Sequence, residues 1–117
     1  MEEKIKEFFL DVFSVELNDT LLALLIGQAD TLFKAYQLTE EQRELCVLLY
    51  IGCQISGPPY NLVPINQMVT SMSVRDFSAS FSPMMTPLVG MGFCGALEKV
   101  LEQFAMENRK INGIIVV

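Results

Sequence analysis

Gly90-Met-Gly-Phe-Cys-Gly95 has the G-x-G-x-x-G spacing with which a glycine-rich turn lays backbone amides against a pyrophosphate. The surroundings do not support that chemistry. A core strand should precede the turn, and Ser82 to Pro87 read instead as a proline-containing loop. An acidic residue should follow about 20 positions on to hold a ribose, and there Ile114 to Val117 stand. The other reading is that small residues let the start of this helix pack closely on a neighbour. Acid–base and nucleophilic chemistry find no better footing. The chain has no histidine, the commonest general base. Cys94 has no base or cation beside it in sequence to make a thiolate. Glu98 and Glu102 lie one helical turn apart and could pair, but they read as solvated surface, as do Glu40, Glu41 and Glu44. No catalytic residue, cofactor or metal site is expected.

Three cysteines, Cys46, Cys53 and Cys94, sit in apolar surroundings without paired spacing. They are expected as buried free thiols of a reducing compartment rather than a disulfide framework. Without histidine or C-x-x-C, zinc chemistry has no ligand set. Fourteen acidic residues against eight basic give a formal charge of −6, and the basic ones are scattered. A surface that holds nucleic acid needs clustered Lys and Arg to displace counterions, so tight wrapping of DNA or RNA is not expected. Hydrophobic residues make up 51% of the chain, which suggests that some apolar surface is buried between chains. The methionines Met68, Met72, Met84 and Met85 read as ordinary gap-filling side chains or, for Met84-Met85 in a loop, as an adaptable contact with another subunit. No secretory signal is visible and the longest apolar run, Leu45 to Ile51, is too short to span a bilayer, so the expectation is a protein made in a cytoplasm, with no membrane partner.

The elements that must position these residues are mainly helical. Residues 2–13 carry Ile5, Phe8, Phe9, Val12 and Phe13 at helical spacing, with Glu2 and Glu3 at the favourable end. Asn18 or Asp19 caps a second helix, about Thr20 to Tyr36, with a buried stripe of Leu22, Leu25, Ile26, Ala29, Leu32 and Phe33. Thr39-Glu40-Glu41-Gln42 is a capping box opening a third helix to about Ile55, where Gly57-Pro58-Pro59 stops it. Its stripe is Leu45, Leu48, Leu49 and Gly52, and the small Gly52 admits another helix closely. A last helix spans about Leu88 to Asn108, through Met91, Phe93, Leu97, Val100, Leu101 and Phe104.

Between the third and last helices the period changes. From Asp76 to Ser82, Phe77, Ala79 and Phe81 alternate with Ser78, Ser80 and Ser82, the pattern of a half-buried strand. Val74-Arg75-Asp76 reads as a turn or a bulge. One short β-unit needs a partner, either the C-terminal Ile114-Ile115-Val116-Val117 or another subunit. The fold class is therefore mostly α. It is a small helical bundle with a short β-segment or hairpin between the third and last helices and a potential C-terminal strand, in a single domain over residues 1–117.

This order resembles the small head–tail connector proteins (adaptor or head-completion proteins) of tailed bacteriophages. The resemblance is carried by Thr70-Ser71-Met72-Ser73-Val74-Arg75-Asp76-Phe77-Ser78-Ala79-Ser80-Phe81, then by Thr86-Pro87 opening into a glycine-containing helix, and it spans residues 39–105. Arg75 departs from the pattern, since glycine is expected between Val and Asp, and the terminal Ile-Ile-Val-Val is more apolar than the family leads one to expect. The resemblance implies a structural virion protein. About twelve copies would form a ring beneath the portal through a heterologous interface. The ring would extend the DNA channel without sequence-specific binding and offer a face to a downstream neck or tail completion protein. On this reading Phe77 and Phe81 pack on the helices. Ser71, Ser73, Arg75, Ser78, Ser80, Met84, Met85, Ile114, Ile115, Val116 and Val117 serve neighbouring chains or the portal. Two alternatives remain at this level: a dimeric helical regulator of a bacterial cell, and a small-ligand binder using the Gly90–Gly95 turn.

Overall fold

Capping and hydrophobic periodicity set the first three helices. The computed structural model describes residues 2–58, 60–62 and 92–111, with the side chains of the last helix described for 92–106. Helix α1 is Glu2–Phe13, α2 Asp19–Phe33, α3 Glu40–Ile55 and α4 Gly92–Ile111. The protein is mostly helical, a small bundle. The β-segment at 69–82, the start of the last helix before Gly92 and the C-terminal strand lie outside the described residues.

Helix α1 ends where Ser14 takes a left-handed conformation, with φ 56°. This turns the chain so that Ser14 N–H donates to the Leu10 carbonyl at 3.0 Å and Val15 N–H to the Phe9 carbonyl at 3.1 Å. Asn18 then caps α2: its Oδ1 accepts from the amides of Thr20 at 2.8 Å and Leu21 at 3.3 Å. The capping box of α3 is complete. Gln42 N–H donates to Thr39 Oγ1 at 3.2 Å, and Thr39 N–H donates to Gln42 Oε1 at 3.0 Å. Beyond Ile55 the chain folds back, with Leu62 N–H donating to the Ile55 carbonyl at 2.7 Å.

Helix α3 is the axis of the bundle and packs on both α2 and α4. Every residue from Leu45 to Gly52 is buried, around the whole circumference rather than along the expected stripe. A helix that is apolar on all sides must be sheathed by others, and α1, α2 and α4 supply the sheath. Ile5, Phe8 and Phe9 of α1, Leu22, Leu25, Ile26, Ala29 and Phe33 of α2, and Phe93, Ala96, Val100 and Phe104 of α4 complete one core. At one end of α1, Lys4 pairs with Glu44 of α3 at 3.3 Å. At the other end, the rings of Phe9 and Phe13 meet Phe93 at 5.8 and 5.6 Å.

Three expectations need correction. Helix α2 stops at Phe33, not Tyr36, and Tyr36 N–H donates back to the Phe33 carbonyl at 3.0 Å. Leu32 is 55% exposed and Val12 39% exposed. Both stand at the margin of their stripes, whose centres are set by Ala29 with Phe33 and by Ile5 with Phe9. The apolar stripe of a surface helix covers only part of its circumference, and the residue at its edge reaches solvent.

Candidate functional site

Two open clefts lie on the bundle, one between α2 and α3 and one along α1 and the connector that follows it. The larger, about 520 Å³, is lined by Asp30, Thr31, Phe33, Lys34, Tyr36, Leu38 and Arg43. It forms because a short connector returns α2 antiparallel onto the start of α3. Arg43, in the first turn of α3, reaches across to Asp30: Nε donates to Oδ1 at 2.8 Å and Nη2 to Oδ2 at 2.9 Å. This bidentate geometry fixes the relative position of the two helices as well as pairing charge. The hydrogen bond to Asp30 is the main cause that raises the Arg43 guanidinium above its already high value. Beside the cleft, Tyr50 Oη donates to Gln28 Oε1 at 3.1 Å, and burial pushes its phenol up.

The second cleft, about 380 Å³, is lined by Glu3, Lys6, Glu7, Leu10, Glu16 and Leu17. Its one cation, Lys6, bonds Asp19, and that hydrogen bond raises the ammonium. Three carboxylates against one paired lysine leave this face acidic. Glu2 and Asp11 continue it along the exposed side of α1.

Neither cleft brings together a nucleophile and a base. Cys46 is a fully buried thiol, and desolvation pushes its pKa up to about 12. A thiol so placed is a small hydrophobe rather than a nucleophile. In the native protein it should be silent to a thiol reagent at pH 8 and react on unfolding. The raised value also carries a sign for stability. The Cys46 contribution is complete below the unfolded value of 9.0 and is lost as pH rises toward about 12. Stability should therefore fall above pH 9 by up to about 1.4 kcal/mol per unit, a slope missing from Cys46→Ala. Denaturant titrations of the two proteins between pH 8 and 10.5 measure that difference. Among the described residues no three His, Cys, Asp or Glu side chains are placed to hold a metal ion.

The other cysteines overturn the expectation of free thiols. Cys53 of α3 and Cys94 of α4 form a disulfide, with Cα atoms 4.8 Å apart. Cys94 is exposed and Cys53 half-buried. No sequence spacing announces a pair separated by 41 positions. The signal lay one residue away on each side, in Gly52 and Phe93, whose contact brings the two Cα atoms within bonding range. A Cβ added to Gly52 would overlap the Cγ, Cδ1 and Cε1 atoms of the Phe93 ring. The small residue that serves helix packing at this junction is Gly52 of α3, and the residue of the Gly90–Gly95 motif that meets it is Phe93. Gly92 is buried, and its φ of 78° is one that other residues rarely adopt.

Glu102 pairs with Lys99 at 3.8 Å on the surface, and Glu98 is exposed beside them. Glu40 and Glu41 are exposed, while Glu44 is drawn into the pair with Lys4. Ser71, Ser73, Arg75, Ser78, Ser80, Met84, Met85, Ile114, Ile115, Val116 and Val117, the expected subunit and portal contacts, lie outside the described residues. No helix among the described residues is long and apolar enough to cross a membrane. Comparison with protein-family models, with curated proteins and with solved structures finds no match to this chain.

Proposed function

We propose that this chain is a structural assembly protein of the head–tail connector type, forming a ring beneath a phage portal and joining the DNA-filled head to the tail. The observation that carries the reading is the Thr70–Phe81 segment followed by Thr86-Pro87 and a glycine-containing helix. Three features of the bundle support it. The described residues form a small helical scaffold with α3 at its centre and a closely packed α3–α4 junction, from which a contact segment can be presented. Exposed apolar side chains, Leu24 and Leu32 on α2 and Met106 on α4, are available for neighbouring copies. The acidic outer side of α1 suits a channel wall past which DNA must slide, because like charge opposes binding.

The test is an affinity pull-down of the tagged chain from its source cells, with electron microscopy of the eluate. Rings on portal or on capsid vertices are the expected result. A clean complex with one soluble cellular protein, and no particles, would overturn the reading in favour of a dimeric regulator. Val116→Asp should block assembly while leaving a folded subunit. If particles assembled normally with that variant, the C-terminal tail would not be a contact between chains.

A further inference from the structure

We propose that the Cys53–Cys94 disulfide is a redox-responsive clasp that sets how firmly α3 and α4 hold the two ends of the segment between them. The inference goes beyond the proposed function and does not rest on it.

Four observations carry it. First, two adjacent residues of each helix make the junction: Phe93 covers Gly52, and Cys94 is bonded to Cys53. The bond closes residues 54–93 into a loop whose neck is one Cα–Cα distance of 4.8 Å. Second, one sulfur belongs to an exposed residue and the other to a half-buried one, so a small thiolate can approach the bond from the Cys94 side. Third, the remaining cysteine cannot interfere. Cys46 is fully buried and held protonated, so it does not exchange with the pair. Fourth, the bundle has other means of keeping α4. Phe93, Ala96, Val100 and Phe104 all sit in the core, so opening the bond frees the neck without removing the helix from its place.

The chemistry is a two-electron exchange with a dithiol. Its thiolate attacks Cys94 Sγ, the S–S bond breaks, and Cys53 leaves as a thiolate and takes a proton. The second thiol of the reductant then attacks the mixed disulfide through its own sulfur, releasing Cys94, which also takes a proton. The reductant ends as a disulfide, and the protein gains two electrons and two protons. A small-molecule disulfide reverses the sequence.

Dithiothreitol is the probe. In the oxidised full-length protein, alkylation without reduction followed by mass spectrometry should recover the Cys53 and Cys94 peptides joined. Native protein treated with dithiothreitol should then alkylate at Cys53 and Cys94 while Cys46 stays silent. Its Tm should fall by on the order of 10 °C, as expected for opening a loop of this length. Amide exchange should quicken at residues 92–97 and stay slow at 45–51, the signature of local opening rather than unfolding. Glutathione disulfide should restore the oxidised values. The double variant C53S/C94S should match the reduced protein in either buffer. Three results would each overturn the proposal: no joined peptides in the oxidised sample, a bond that yields only on global unfolding, or reduction that leaves Tm and exchange at 92–97 unchanged.

Discussion

Phe9→Ala is expected to cost about 3–5 kcal/mol, as large buried aromatics do when truncated, out of a total stability of about 5–15 kcal/mol for a domain of this kind. Phe9 is fully buried and stands where α1 meets α4. Its ring lies edge-on to Phe8 at 5.3 Å, stacks with Phe13 at 5.9 Å and meets Phe93 of α4 at 5.8 Å. Removing it leaves a cavity between α1 and α4 that helices held by other contacts cannot collapse to fill. Urea titration should show a lower midpoint with the slope unchanged. Phe9→Leu, which keeps most of the volume, should cost less than about 1.5 kcal/mol. Leu10→Ala, next in sequence but 51% exposed, should stay within about 0.5 kcal/mol. Equal costs at positions 9 and 10 would mean that α1 does not belong to the core.

Gly52→Ala should destabilise the protein even though alanine favours a helix interior over glycine by about 1 kcal/mol. The new Cβ would overlap the body of the Phe93 ring, not the end of a flexible side chain. The ring has little room to yield: it is 3% exposed and bounded by Phe9 and Phe13. Its own backbone precedes Cys94, which is bonded back to Cys53. Overpacking of this sort costs about 1–3 kcal/mol, and Gly52→Val should exceed the alanine cost. A double-mutant cycle separates the two effects. In a Phe93→Ala background the overlap is gone, and Gly52→Ala should become stabilising by about 1 kcal/mol, the bare propensity gain. If Gly52→Ala were stabilising with Phe93 in place, helix propensity rather than close packing would govern the junction.

The two sites differ in how far they could be foreseen. Gly52 was legible because glycine in an otherwise apolar helical run is poorly suited to a helix unless something approaches it closely. The partner was not legible, since Phe93 reaches it across some forty residues of chain. The same separation hid the disulfide, for an odd cysteine count and spacing without a motif say nothing about which backbones lie side by side. Arg43 and Asp30 are 13 positions apart, and no local pattern joins them. Only the return of α2 onto α3 makes them a bidentate pair. The larger cleft shares this origin, since residues of α2, of α3 and of the connector between them line it.

What the sequence determined by itself is therefore local. The extent of α1, a cap at Asn18 or Asp19, the Thr39–Gln42 capping box and the stop after Ile55 depend on residues within a turn or two of one another. Their hydrogen bonds join residues close in sequence and need no distant contact. Tertiary structure decided which helix lies at the centre, because a run such as Leu45–Ile51 shows that it must be covered but not by what. It also decided which face of α4 meets Gly52 and which two of three cysteines join, for these rest on contacts between residues whose proximity no local period encodes.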